Sequence, residues 1–103
     1  MSLGPYSLVT VSLRPEATPH VGVSFYTPDL KVRAGLLLSS PRPFLELCSP
    51  EAIVYISTTG AGTVTDADLA VAREIFTAAA RYLAECEQLH AEQTAQDATD
   101  PAA

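Results

Sequence analysis

The 103-residue sequence has no tryptophan, and it has only two cysteines, two histidines and six cations. Its longest apolar run, Ala52–Ile56, is far shorter than the about 20 residues that cross a bilayer. The N-terminus lacks the basic start and the apolar stretch of a signal peptide, so we expect a cytoplasmic protein. The length allows one domain with one core, and an apolar content of 48% excludes a fully disordered chain.

The few cysteines and histidines offer little for catalysis or metal binding. Cys48 and Cys86 lie far apart in the chain, so no C-x-x-C motif exists. We expect both to be buried and reduced, and the alternative is a structural disulfide between them. Cys86 and His90 share a helix face, but an exposed helix surface provides no pocket for a substrate beside them. The sequence therefore predicts no catalytic residue, no metal site, no cofactor and no enzymatic activity.

The charge of the chain is uneven. Residues 1–60 hold as many cations as acids, and the whole net charge of −6 falls on residues 61–103. Because binding to duplex DNA depends on neutralising phosphates, we do not expect it from six scattered cations. The acidic second part could instead dock on a basic partner. The preference for arginine over lysine and the many alanines are typical of a GC-rich genome, which suggests a bacterial source.

Apolar and polar residues alternate through the first 58 residues, which is typical of strands. Proline-containing turns separate the alternating segments, and connections this short favour antiparallel neighbours. The predicted strands are Tyr6–Leu13, His20–Thr27, Leu30–Leu38, Phe44–Cys48 and Ala52–Thr58.

The turn at Pro28 predicts a specific hairpin between the second and third strands. A four-residue loop over Thr27–Leu30 sets Tyr26 opposite Lys31 and Phe25 opposite Val32. The same register pairs apolar residues with apolar residues on one face, and a slip by one residue would scramble that pattern.

After residue 62 the apolar period changes to that of a helix. Thr65 is a suitable N-cap, Asp66 and Asp68 fall in the first turn, and no glycine or proline follows before Gln93. We therefore predict an α+β fold, in which an antiparallel meander of four to five strands precedes one long C-terminal helix packed on the sheet. Residues 1–93 form this single domain, and residues 94–103 are predicted to be a disordered acidic tail.

The predicted helix is longer than any of the predicted strands. A helix of about 28 residues spans about 42 Å, against about 27 Å for an eight-residue strand. Its far end needs a cover, and either a second copy of the chain supplies it or the helix frays near Glu87. We favour a homodimer formed through the helix. Its predicted interface comprises Phe76, Ala79, Tyr82, Leu83, Cys86 and Leu89.

One face of the predicted sheet combines an aromatic ring with cations. It comprises Tyr26, Lys31, Arg33, Leu37 and Arg42. Such a face could contact a partner protein or hold a single nucleic-acid strand, whereas an ordinary solvated face is the plainer reading. The order of strands followed by a helix is similar to that of the Whirly and PUR groups of single-stranded nucleic-acid binders. This resemblance is one of element order only and assigns no residue.

From these observations we expect a small, non-enzymatic, homodimeric regulatory or accessory module that acts through protein–protein contacts, for example in transcriptional or developmental control. The alternative is a protein that binds single-stranded nucleic acid on the exposed face of its sheet. A pocket between sheet and helix is disfavoured, because a chain this short leaves little volume for a cavity once its core is filled.

Overall fold

The computed structural model describes residues 4–38, 41–59 and 62–99. Antiparallel strands precede a single C-terminal helix in these ranges, which confirms the predicted α+β class. The chain divides into two compact units, Met1–Thr63 and Val64–Ala103. The elements are β1 (Tyr6–Ser12), β2 (His20–Tyr26), β3 (Lys31–Leu37), β4 (Arg42–Cys48), β5 (Ile53–Ile56) and α1 (Asp66–Thr99).

Strands β1 and β2 pair with each other in a two-stranded antiparallel sheet, with Tyr6 opposite Tyr26. In the loop that joins them, the Ala17 N–H donates to the Arg14 carbonyl oxygen at 3.3 Å. Pro15 fixes the second position of this turn, and Glu16 takes the third with a φ of 62°. This combination is typical of a type II turn, in which glycine usually occupies the third position.

Strands β3, β4 and β5 form a second antiparallel sheet in that order. Directly opposite residues share a face of the sheet, and Arg33 lies opposite Glu46, which lies opposite Tyr55. The other face is apolar throughout. It comprises Val32, Ala34, Leu36, Pro43, Leu45, Leu47, Val54 and Ile56.

The prediction of a hairpin between β2 and β3 is wrong. Tyr26 pairs with Tyr6, Lys31 pairs with Cys48, and no ladder joins β2 to β3 in the described ranges. Both strands have the expected alternation of apolar and polar residues. Alternation determines on which face of the sheet each side chain lies, but it does not determine which strand is the hydrogen-bonded neighbour. Between the strands, the Asp29 N–H donates to the Thr27 hydroxyl at 3.0 Å, which closes a local turn without a ladder. The five strands thus make two sheets instead of one continuous meander.

The turn between β4 and β5 is organised by the Ser49 side chain, which is 6% exposed. Its hydroxyl oxygen accepts hydrogen bonds from the Glu51 and Ala52 N–H groups, at 3.2 and 3.1 Å. It also lies 2.7 Å from the Ser7 hydroxyl, and the Ser7 N–H donates to the Glu51 carboxylate at 2.9 Å. These bonds connect β1 to the three-stranded sheet.

Helix α1 begins as predicted. The Thr65 hydroxyl accepts a hydrogen bond from the Asp68 N–H at 3.2 Å, and the Asp68 carboxylate accepts one from the Thr65 N–H at 2.8 Å. This reciprocal pair is a capping box. The helix continues to Thr99, six residues beyond the predicted end at Gln93. The predicted disorder of the tail and the predicted packing of the helix on the sheet stay predictions, and residues 100–103 lie outside the described residues.

No hydrophobic side chain is buried in the part of the chain that the structure describes. Apolar residues on both sheets and on the helix remain exposed, among them Val21 at 64% and Leu13 at 74%. Over the same ranges, the helix does not combine the length and hydropathy needed to cross a bilayer.

Candidate dimer interface and cationic sheet face

One side of helix α1 carries an apolar stripe built from rows of residues with seven-residue spacing. We define the apolar stripe by its large members and its small members. The large members are Leu69, Ile75, Phe76, Tyr82, Leu83 and Leu89, and the small members are Ala72, Ala79 and Cys86. The sequence predicted six of these nine as a dimer interface.

The large members of the apolar stripe have high exposed fractions. Phe76 is 76% exposed, Tyr82 is 73% exposed and Leu83 is 59% exposed, whereas Ile75 is partly covered. A phenylalanine that remains three-quarters exposed forfeits the burial that usually stabilises an aromatic side chain. The structure thus places the predicted interface residues together on one helix face, and their role in dimerisation stays a prediction.

Charged side chains of the helix bond to one another away from the stripe. The Arg81 Nε lies 3.4 Å from the Glu85 carboxylate, and the Gln88 amide donates to the Glu92 carboxylate at 3.1 Å. Both pairs have the four-residue spacing that favours contact along a helix. Both bonds form within a single helix.

Tyr82 is affected by its neighbour one turn later. The Cys86 side chain raises the pKa of Tyr82 above its ordinary value, mainly as a hydrogen-bond partner and further through its charge. Both residues belong to the apolar stripe, and Cys86 is an exposed free thiol. The phenol therefore stays protonated and uncharged to a higher pH than an isolated tyrosine.

The predicted aromatic and cationic face is brought together only in part. Register places Lys31, Arg33, Leu37 and Arg42 on one face of the three-stranded sheet, which we call the cationic face. Tyr26 belongs to the other sheet, where its ring lies 5.1 Å from that of Tyr6. Binding of a partner protein or a nucleic-acid strand by the cationic face stays a prediction.

Three further residues of the cationic face, Phe44, Glu46 and Tyr55, were not predicted from the sequence. The Glu46 carboxylate accepts from Arg33 at 2.8 Å, and it raises the pKa of the Arg33 guanidinium above its ordinary value. The Phe44 and Tyr55 rings stack with centroids 5.3 Å apart, and the Arg33 guanidinium lies 5.8 Å from the Phe44 centroid. Because β4 lies between β3 and β5, the Phe44 ring is flanked by Arg33 and Tyr55.

Contacts between side chains of the cationic face leave few groups free to bind a ligand. Arg33 is already paired, and the faces of Phe44 are already in contact with neighbours. Lys31, Arg42 and the half-exposed Tyr55 ring remain, although the Arg42 Nε itself is buried and has no hydrogen-bond partner in the described residues. The contact between Arg33 and Glu46 could have been predicted from an antiparallel pairing of β3 with β4, because this pairing places the two opposite charges directly across from each other.

The described residues contain no cluster of side chains that could hold a metal ion. A shallow cavity of about 190 Å³ is lined by Asp29, Lys31, Cys48, Ser49 and Pro50. Of these residues, Ser49 already uses its hydroxyl in the β4–β5 turn. A comparison with protein-family models, curated proteins and solved structures found no match to this chain.

Proposed function

We propose that this protein is a small homodimeric regulatory or accessory module, and that it acts through protein–protein contacts in the bacterial cytoplasm. The observation that carries the proposal is the apolar stripe on α1, whose central residues Phe76, Tyr82 and Leu83 are 59–76% exposed. Soluble proteins rarely leave a continuous apolar stripe of this length uncovered, so a stripe of this kind marks an interaction surface.

A second copy of the chain would carry an identical stripe. In a two-fold symmetric dimer, the two stripes could cover each other along their whole length. Isologous contact between two identical surfaces is the commonest way in which soluble proteins form oligomers. The charged side of α1 would then remain outward. There the carboxylates of Glu85 and Glu92 could orient a basic partner protein.

The dimer is tested by light scattering on the purified full chain. A dimer has twice the 10.9 kDa mass of the protomer over the micromolar range. Leu83→Glu removes a large apolar side chain from both copies, so we expect the Kd to rise by about 100-fold or more.

The matched control is Gln88→Glu, which adds the same charge beside Glu92 on the bonded, polar side of the helix. It should leave the mass at that of the dimer. A wild-type chain that stays a monomer at all concentrations would contradict the proposed function, as would a Leu83→Glu variant that dimerises as tightly as wild type.

A second candidate function is binding of single-stranded nucleic acid by the cationic face. It is favoured by the position of Lys31, Arg42 and the 46% exposed Tyr55 ring on one face, since cations and stacked rings together hold single strands. It has less support than the dimer module, because Arg33 already forms an ion pair with Glu46 and is not free to contact a phosphate.

Fluorescence anisotropy with a labelled single-stranded oligonucleotide tests this second candidate. If the cationic face binds, the double variant Lys31→Ala and Arg42→Ala loses binding, whereas Arg73→Ala with Arg81→Ala removes two cations from the helix and retains it. An oligonucleotide that never binds the wild-type chain would eliminate the candidate.

A further inference from the structure

We propose that two copies of α1 pair antiparallel, in a register that sets each large residue in the centre of the apolar stripe against a small residue of the other copy. This proposal rests on the proposed dimer and specifies its geometry. It follows from the order of side-chain sizes along the helix and from the positions of two charges.

The centre of the stripe alternates large and small residues at the 3,4 spacing of a coiled coil. Three large residues, Leu69, Phe76 and Leu83, alternate with three small ones. In chain order, the six residues are Leu69, Ala72, Phe76, Ala79, Leu83 and Cys86.

Antiparallel pairing about a two-fold axis between Thr77 and Ala78 matches every one of these six residues by size. Phe76 of one copy then faces Ala79 of the other, Leu83 faces Ala72, and Leu69 faces Cys86. Large residues against small ones fill each layer evenly, at the density that protein interiors require.

Parallel pairing gives the opposite result. Phe76 then faces Phe76 and Ala79 faces Ala79, so that crowded layers alternate with nearly empty ones. The parallel arrangement also sets the acidic second half of the helix against itself, including Glu87 and Glu92. Antiparallel pairing keeps the two acidic second halves apart and opposes the helix dipoles, but it sets Glu87 level with Asp68 of the other copy.

The same antiparallel register brings two opposite charges together beside the stripe. Arg73 of one copy and Glu87 of the other lie on the same side of the stripe, five residues or about 7.5 Å apart along the axis. Each side chain is tilted toward the N-terminus of its own helix, so the two long side chains extend toward each other, and the two-fold axis repeats the pair. Within the described ranges of a single chain, neither residue has an ion-pair partner. The contact is unavailable within one helix, because the two residues are about 21 Å apart along it.

The area of such an interface is sufficient for a specific dimer. Phe76 and Tyr82 are about three-quarters exposed, so complete coverage of both residues in both copies would bury about 450–750 Å². The leucines of the stripe supply the remainder of the about 1,200 Å² that a specific interface buries.

Disulfide cross-linking tests the register. A disulfide needs Cα atoms within about 7 Å of each other, and antiparallel helices hold the two native Cys86 residues about 25 Å apart. Cys48→Ser removes the other thiol in every protein tested. Under oxidised glutathione, Cys86 alone should form no covalent dimer, whereas Leu69→Cys together with Cys86 should form one. Leu69→Cys with Cys86→Ala should again form none.

Each outcome of the cross-linking bears on a different claim when light scattering accompanies it. A monomer overturns the proposed function and the register together. A dimer that cross-links through Cys86 alone is parallel, which overturns the register and leaves the proposed function standing. A dimer that never cross-links also overturns the register.

Charge reversal provides a second test that leaves the stripe intact. We expect Arg73→Glu and Glu87→Arg, made singly, to raise the Kd about 3- to 30-fold. The double variant should recover the wild-type Kd, because it restores opposite charges across the interface. Arg81→Glu is the control, since Arg81 already contacts Glu85 of its own helix. Failure of the double variant to recover would contradict the register.

Discussion

Glu16 has a positive φ of 62° at the third position of the turn that follows β1. Side chains disfavour this conformation by about 1–2 kcal/mol, and glycine escapes the penalty at some cost in unfolded-chain entropy. We expect Glu16→Gly to raise the free energy of unfolding by about 0.5–1 kcal/mol, measured by urea denaturation. Glu16→Ala keeps the Cβ atom and should give no such gain, so equal gains in the two variants would refute the explanation.

Tyr82 should titrate at a higher pH than an ordinary tyrosine, because Cys86 raises its pKa. Cys86→Ala removes both the hydrogen-bond partner and its charge, so the pKa of Tyr82 should fall back toward 10.0. The measurement is the ultraviolet absorbance of tyrosinate against pH, with Tyr82→Phe subtracted to isolate this phenol from the other three. An unchanged titration in Cys86→Ala would show that the neighbouring thiol is not the cause.

At the level of elements, the N-terminus of α1 depends on the Thr65 side chain. Thr65→Ala leaves the Asp68 N–H without its acceptor, so the free energy of unfolding should fall by about 0.5–2 kcal/mol. Thr94→Ala makes the same change inside the exposed helix, where alanine is the better helix former, and it should cost nothing. Thermal unfolding followed by circular dichroism distinguishes the two, and equal losses would exclude a capping role.

Two glycines in strands should respond differently to the same substitution. A Cβ atom at Gly22 meets nothing within 4 Å, whereas one at Gly35 would lie 3.2 Å from the Phe44 ring. Gly22→Ala should therefore raise the free energy of unfolding by about 0.4–1 kcal/mol. Gly35→Ala should lower it by about 1 kcal/mol and weaken the near-ultraviolet dichroism of the aromatic rings, because Phe44 must shift against Tyr55. A gain at both positions would mean that Phe44 moves freely.

The strands and the helix could be predicted from the sequence because each depends on local periodicity. The Thr65 cap and the bounds of β1 and β2 follow from residues that are close in the chain. The partner of β2 could not be predicted in this way, since Val21 and Val23 present the same apolar face to any neighbour. The contacts of Phe44, Glu46 and Tyr55 were missed for the same reason, because they depend on the pairing of β3, β4 and β5.

For the whole molecule, the proposed dimer predicts that folding and association are linked, because its interface would cover the exposed large residues of the apolar stripe. If the dimer covers the apolar stripe, mass action makes the melting temperature depend on protein concentration. We expect a rise of about 3–5 °C for each tenfold increase in concentration, because a tenfold change supplies about 1.4 kcal/mol against the unfolding entropy of a whole dimer. Leu83→Glu should lose this dependence, and a wild-type melting temperature that ignores concentration would show that the protomer is stable alone.

The pairing of β1 with β2 alone has a consequence for handling the protein. Each strand keeps one edge without a ladder partner in the described part of the chain, and the stretch from Tyr6 to Leu13 contains no charged residue. Only the Ser7 N–H on this stretch is capped by a carboxylate, that of Glu51. Uncharged, valine-rich edges of this kind nucleate fibrils when they meet another copy of themselves. Concentrated stocks should therefore gain thioflavin fluorescence on storage, and a lysine in place of Thr10 should delay it.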